Sequence, residues 1–480
     1  MPVNHTLLCD FYELTMANGY YRTGKANTIS YFDLFFRSIP DNGGFVIAAG
    51  LEQIIDYIEN LRFTDQDIEF LRSRGIFTED YLEFLREFRF TGDMYAIPEG
   101  TPIFPNEPVI TVRAPAIEAQ FIETFLLLTF NHQSLIATKT NRIVRASQGR
   151  PVSEFGSRRA HGPDAAVNGA RAAYIGGCSS TACTIAGRVF GIPVGGTMAH
   201  SWVQMFDSEY EAFRRYCEIY PDNPTLLVDT YSVLKSGVPN AIRVFKEMLS
   251  GSAQKNCAIR IDSGDLTYLS RRARKMLDDA GLKDCRIIAS NSLDEYIIRD
   301  LLQQGACLDA FGVGERLITS RSAPVLGGVY KLAAIERNGE IIPKIKISEN
   351  AAKITIPHFK KVYRIYENHN GKALADYICL HSEQPDFTKP LDLFDPDYIW
   401  KRKLVTDYTA QELQVPVFIG GKRVYESPDV HTIRDYCRSQ VELQWDEVKR
   451  FENPHNYYVD LSQELWDIKQ KLLAEGVRGA

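Results

Sequence analysis

The residues most able to do chemistry lie in the run Ala258-Ile259-Arg260-Ile261-Asp262-Ser263-Gly264-Asp265-Leu266, a β-branched stretch that takes up charges and breaks at a glycine. Side chains alternate along a strand, so Arg260 and Asp262 share a face and Asp265 lies just past its end. One cation and two carboxylates thus surround one small volume. Either the Arg–Asp pair orders a turn, or the acids serve a ligand. With Asp229, in Thr225-Leu226-Leu227-Val228-Asp229-Thr230, Asp262 and Asp265 suit Mg2+ held mostly through water, one or two carboxylates being completed by substrate phosphates.

Gly196-Thr197-Met198-Ala199-His200-Ser201 is read as ending a strand and opening a helix. A histidine there meets the positive end of the helix dipole, and it suits either a nucleophile toward a phosphoryl group, a general acid/base, or a side-chain cap. Of the nine histidines, His200 is the strongest candidate; His161, beside Arg158 and Arg159, is a weaker one. Ser290-Asn291-Ser292 and Gly312-Val313-Gly314 both end strand-like runs in small residues, whose exposed backbone N–H groups suit phosphate. Arg158, Arg321 and Lys331 are cations available to a pyrophosphate, unless they are ordinary surface charges.

The elements that must position these groups form a rhythm. β-like runs at 151–156, 174–180, 193–200, 225–230, 257–264, 285–292 and 308–314 alternate with helical patterns. Such alternation predicts a parallel sheet, and seven strands predict a closed or nearly closed barrel; the glycine-rich first turn of a doubly wound fold is missing. Polar and glycine residues gather at the predicted strand ends, from Glu154-Phe155-Gly156-Ser157-Arg158 through Ser179-Ser180 to Gly314. In a barrel that face carries the active site. Before it, 92–115 predicts short antiparallel strands; after Arg321 the chain returns to β character, with a hairpin at Asn370-Gly371, and ends in helices.

Length and composition bound the rest. At 480 residues, two or three packed units are expected. A formal net charge of −6 argues against nonspecific nucleic-acid binding. Nine scattered cysteines without zinc spacing read as reduced thiols of a cytoplasmic protein. Neither a signal peptide nor a membrane span is predicted.

The motifs DFYELTMANGYY, EFGSRRAHGPDAA, GTMAHSW, IRIDSGDL, ASNSLDE and FGVGERL, in this order over roughly residues 8 to 335, resemble those of nicotinate phosphoribosyltransferases. The resemblance implies an α/β fold: an irregular (β/α) barrel of about seven parallel strands at 116–325, with a mixed α+β domain built from residues 1–115 and later segments, the returning β segments and C-terminal helical extension occupying 326–480. It implies phosphoribosyl transfer from 5-phosphoribosyl-1-pyrophosphate to nicotinate, coupled to ATP hydrolysis, as the first step of NAD salvage from nicotinate. Mg2+ and a homodimer with active sites at its interface are also implied.

Position by position, His200 matches the histidine phosphorylated by ATP and Ser201 its neighbour. Phe155 and Tyr12 match the aromatic residues around the pyridine ring, with Tyr12 and Asp10 reaching from the partner subunit. Arg158 matches a phosphate contact, Arg260 a residue near the ring substituent, Asp262 the ribose-hydroxyl ligand and Asp229 an acid behind it. Ser290, Asn291 and Gly314 match 5′-phosphate contacts, with Gly312 and Arg321 beside them. Ser180 stands where related nicotinamide enzymes carry an aspartate; a hydroxyl there can donate to a carboxylate that an aspartate would repel. Relatives that use nicotinamide or quinolinate, and a non-catalytic nucleotide sensor, are the alternatives. Glu315 departs from the family pattern by putting an acid beside the phosphate loop. Asp265 remains either catalytic or a helix cap.

Overall fold

The computed structural model describes residues 4–249, 251 and 256–478. Two compact units emerge, one of Met1–Leu135, Val325–Pro428 and Asp435–Ala480, the other of Ile136–Pro324 and Asp429–Arg434.

The first unit contains a seven-stranded antiparallel sheet in the order Glu340–Pro343, Gly328–Arg337, Ile29–Phe36, Ile110–Pro115, Asp93–Ala96, Val415–Ile419, Lys422–Arg423. One of its interior strands, Ile29–Phe36, is buried along almost its whole length and therefore reads as a continuous apolar run rather than an alternating one. The single charge in that run, Asp33, is buried and ion-paired to Lys360 at 2.6 Å. A second sheet runs Tyr408–Glu412, Lys360–Glu367, Ala373–Leu380, Tyr458–Leu461. Its two middle strands form the hairpin expected at Asn370-Gly371, with Gly371 at φ 69°. The C-terminal extension contributes the helices Val430–Glu442 and Gln463–Arg478.

The second unit is built on parallel strands, six rather than seven. Their order is Ser180–Thr181, Val152–Glu154, Ala310–Val313, Arg286–Ser290, Ala258–Ile261, Thr225–Leu227. Two sequence expectations are corrected. The run 174–180 is not one strand, because Tyr174 and Ile175 complete the helix Pro163–Ile175 and pairing starts only at Ser180. The run 193–200 joins the sheet at a single parallel bridge, Val194 to Thr181. Pro193 has no N–H to donate, and Gly195-Gly196 favours a loop over a ladder. Among the described residues no ladder joins Val194 to Thr225–Leu227, so the ladders make a parallel sheet of six strands, with Val194 as a single bridge at one edge.

Close backbone contact fixes the other edge. After Thr225–Leu227 the chain makes a π-turn, Val233–Gly237, and enters the helix Val238–Met248. A Cβ at Gly237 would lie 1.8 Å from the Val228 carbonyl oxygen. Only glycine lets the helix start sit against the strand end that carries Asp229 and Thr230. Gly237→Ala is therefore expected to destabilise the protein by roughly 2 kcal/mol through backbone displacement, measured as a lower urea midpoint.

Candidate active site

The parallel register builds the site from one row of residues. Ser180 pairs with Ser153, Ser153 with Gly312, and Gly312 with Ser290. The Ser290 hydroxyl then donates to Asp262 Oδ1. Paired residues of parallel strands present side chains to the same face, so the row is a floor of small groups that ends in a carboxylate. Its smallness has a cause: a Cβ on Gly312 would lie 2.6 Å from two carbons of the Phe155 ring. The Phe155 ring thus occupies the space that any other residue at 312 would need.

Phe155 is held from behind. Its N–H donates to Val313 O at 2.8 Å. The preceding Glu154 is fully buried; its carboxylate accepts from Thr181 Oγ1 at 2.6 Å and from the Gly156 N–H. Burial raises the Glu154 pKa while these two bonds oppose the rise. Sequence reasoning gave Glu154 no role, although its place before an aromatic and a glycine at a strand end was visible.

At one end of the row, Ser180 Oγ lies 2.8 Å from Ser153 Oγ. One bond between two hydroxyls leaves one O–H free to donate outward. Ser180 begins its strand instead of ending one, and its face is set by its pairing with Ser153.

At the other end stand the charged groups. Asp229 Oδ2 accepts from the Asp262 N–H at 3.1 Å and from Ser263 Oγ at 2.6 Å, tying the ends of two neighbouring strands together. Asp229 Oδ1 is buried without a hydrogen-bond partner. His200 opens the short helix His200–Gln204 but does not cap it, Ala199 being the cap residue. Its Nδ1 lies 3.1 Å from Thr230 Oγ1, and its Nε2 stands 3.9 Å from Asp262 Oδ2, beyond hydrogen-bond length. Ser201 follows in the same helix, exposed. Arg260 donates to Thr197 Oγ1, while its buried Nε has no partner. Burial lowers the Arg260 pKa, Asp262 and Asp229 pull it up, and Arg158 adds like-charge repulsion. Arg158 itself is exposed in the turn Ser157–Arg159. Thr230 and Thr197 are partners that strand-end reasoning had no means of assigning.

The loop after Arg286–Ser290 is bent into the left-handed region, with Asn291 at φ 89° and Ser292 at φ 51°. Gly314 precedes the helical turn Glu315–Ile318. The Glu315 carboxylate accepts from Arg321 at 3.4 Å, both side chains being exposed, so the acid is engaged by a neighbouring cation. With Arg159 and His161 these two line an open recess of about 400 Å³. Asp265 resolves to a cap: its carboxylate accepts from the Tyr268 N–H at 2.8 Å at the start of Leu266–Asp279.

The second unit therefore gathers Phe155, Ser180, His200, Asp229, Arg260, Asp262, Ser290 and Gly312 around one row, with Arg158 beside Arg260. Asp10 and Tyr12 belong to the other unit, exposed at the start of the helix Phe11–Arg22. There, partial burial and Glu123 raise the Tyr12 phenol above its ordinary range, and burial pushes Glu13 up to about 8. Lys331, on that unit's central sheet, stands 3.7 Å from Glu123. Among the described residues no group of three or more His, Cys, Asp or Glu could hold a metal, and no helix is long and apolar enough to cross a membrane.

The chain matches two family models, the nicotinate phosphoribosyltransferase N-terminal domain over residues 7–131 and the C-terminal domain over 359–469. It is 46% identical over 470 residues to the nicotinate phosphoribosyltransferase of Bacillus subtilis, covering 98% of this chain and 95% of that one. The chain belongs to the nicotinate phosphoribosyltransferase family. A Dictyostelium discoideum nicotinate phosphoribosyltransferase is 33% identical over 527 residues, covering 98% of this chain and 88% of that one. The crystal structure of human nicotinic acid phosphoribosyltransferase superposes with a TM-score of 0.85 at 28% identity, over 96% of this chain and 99% of that one. These likenesses run through both units, so the row and the strand-end acids lie within the shared fold.

Gly312→Val should leave the sheet paired, since its backbone partners are unchanged, but push the Phe155 ring off the floor. A crystal structure of the variant checks this; a Phe155 ring in its original place would refute the steric account.

Proposed function

We propose that this chain transfers the phosphoribosyl group of 5-phosphoribosyl-1-pyrophosphate to nicotinate, giving nicotinate mononucleotide and pyrophosphate as the first step of NAD salvage from nicotinate. ATP hydrolysis is coupled to the reaction through a phosphorylated His200. The observation that carries this reading is the row of small residues beneath Phe155, with a donor hydroxyl at one end and Asp262, Asp229 and His200 at the other.

Nicotinate is flat and anionic. Its ring stacks on Phe155, and its carboxylate takes the spare proton of the Ser153–Ser180 hydroxyl pair, with Arg260 supplying the nearby cation. Asp262, oriented by Ser290, accepts from the ribose hydroxyls and holds the sugar beneath the ring nitrogen. Asn291 and Gly314, with Gly312 in the adjoining row, receive the 5′-phosphate on their backbone. Arg158 and Arg321 favour the charge of the departing pyrophosphate. Such chemistry needs little acid/base help: positioning brings the ring nitrogen to the anomeric carbon, and fixed cations stabilise the leaving group.

The carboxylates fit Mg2+ as well. Asp229 Oδ1 lacks a protein partner and Asp262 Oδ2 is contacted only at 3.9 Å, which suits an ion held through water and completed by substrate phosphates. When bound, Mg2+ would neutralise pyrophosphate charge. In His200, the Thr230 contact on Nδ1 leaves Nε2 open as the nitrogen that takes the phosphoryl group of ATP. Ser201 is the adjacent hydroxyl. We further infer a cytoplasmic homodimer whose Tyr12 and Asp10 complete the site of the partner subunit; exposed Leu8, Phe11 and Met16 beside them give that surface its apolar character.

Purified protein with nicotinate, the ribosyl donor, Mg2+ and ATP should release pyrophosphate; no release refutes the proposal. His200→Ala should retain basal transfer and lose the stimulation by ATP. Ser180→Asp should lower kcat/KM for nicotinate by roughly a hundred-fold through like-charge repulsion while nicotinamide turnover holds or rises. Equal loss for both substrates would remove the specificity role of Ser180.

A further inference from the structure

A second cavity lies wholly within the first unit and is lined by none of the residues of the proposed reaction. It encloses about 710 Å³ between the edge strand Tyr458–Leu461 and the hairpin Leu391–Phe394/Arg402–Val405. That volume is within the range of small-molecule pockets. Leu374, Ala375, Leu393, Trp445 and Tyr458 give it apolar and aromatic walls.

Charge in this cavity is unevenly satisfied. Tyr458 and Asp460 fall on one face of their strand, since side chains alternate, and both line the space. Asp460 is only 4% exposed. Among the described residues its carboxylate makes no hydrogen bond or ion pair. The cations around the mouth are committed elsewhere: Lys401 faces Asp395 at 3.7 Å, Lys403 faces Glu367 at 3.8 Å, and Arg402 bonds Asp392. Glu447 adds a further acid at the exposed rim, and His455 packs edge-on to Tyr458 at 5.8 Å. The uncompensated charge inside is therefore negative. A carboxylate in a largely buried residue that has no protein partner and opens onto a cavity is placed to meet a ligand cation.

We propose that this cavity is a binding site for a small organic amine, its ammonium paired with Asp460 and its aromatic or aliphatic body laid against Trp445, Tyr458 and Leu393. A cation over aromatic faces gains attraction beyond its apolar contact. The state of Asp460 governs the site: burial, reinforced by like-charged Asp395, pushes its carboxyl up to about 7. The carboxylate form pairs with an ammonium and the neutral form does not, so affinity rises as pH rises through 7.

Phenethylamine, which stays protonated from pH 6 to 8, is a direct probe, and 2-phenylethanol is its uncharged counterpart. In calorimetric titration of the full-length protein, phenethylamine should bind once per chain at pH 8 and roughly ten-fold more weakly at pH 6. The difference should persist in His455→Gln, which removes the imidazole beside Tyr458. Asp460→Asn should bind roughly ten-fold or more weakly at pH 8, while melting no lower than wild type because the carboxylate has no protein partner to lose. Leu374→Trp, which fills the cavity, should abolish binding. Absence of saturable binding at pH 8, equal binding of 2-phenylethanol, or undiminished binding by either cavity variant would overturn the proposal.

Discussion

The site depends on parallel register. Each of Ser180, Ser153, Gly312 and Ser290 is placed by its partner on the next strand, and a slip of one residue would turn the whole row to the opposite face. Register alone does not make a floor; the residues must also be small. Gly312 shows why, since the Phe155 ring fills the volume of its missing side chain. The aromatic platform and the glycine beneath it are two halves of one packing decision, and the Glu154 carboxylate locks that decision from the other side of the sheet.

Around the row the protein uses its acids in two manners. Asp229 spends one oxygen on structure, bridging the Asp262 N–H and Ser263, and keeps the other unbonded. Asp262 is likewise half engaged, through Ser290. Asp376, deeper in the molecule, is instead saturated: it takes the Arg364 guanidinium and the Tyr457 hydroxyl, with both ionic partners fully buried. A buried oxygen without a partner calls for an explanation, and at these strand ends, beside His200 and Arg260, a ligand would supply one.

Much of this was legible in the sequence. The strand ends at 154–158, 229–230, 262 and 290–292 are visible as polar punctuation after apolar runs, and five of the seven predicted runs contain strands at the predicted places. The failures have physical causes. At 174–180 a helix end and a short strand are compressed around Gly176-Gly177, with Gly177 at φ 118°, and composition alone cannot divide them. At 193–200 apolar residues resemble a strand, yet a proline and two glycines deny it a ladder. The roles of Thr197, Thr230 and Ser153 were illegible because each is conferred by a residue far away in the chain. Asp265 was ambiguous in sequence for the opposite reason: capping and chemistry ask for the same residue type at a helix start, and only the bond to Tyr268 separates them.

The single bridge at Val194 has a mechanical consequence for His200. Most groups in the row are bolted into a hydrogen-bonded lattice, where moving one strand strains its neighbours. His200 hangs instead on a segment held at the Val194 bridge and by the Arg260 bond to Thr197, and steadied by Thr230. A displacement of its ring strains a few side-chain contacts and leaves the strand ladders as they are. The protein thus sets one member of the site on side-chain bonds and the others on backbone ladders.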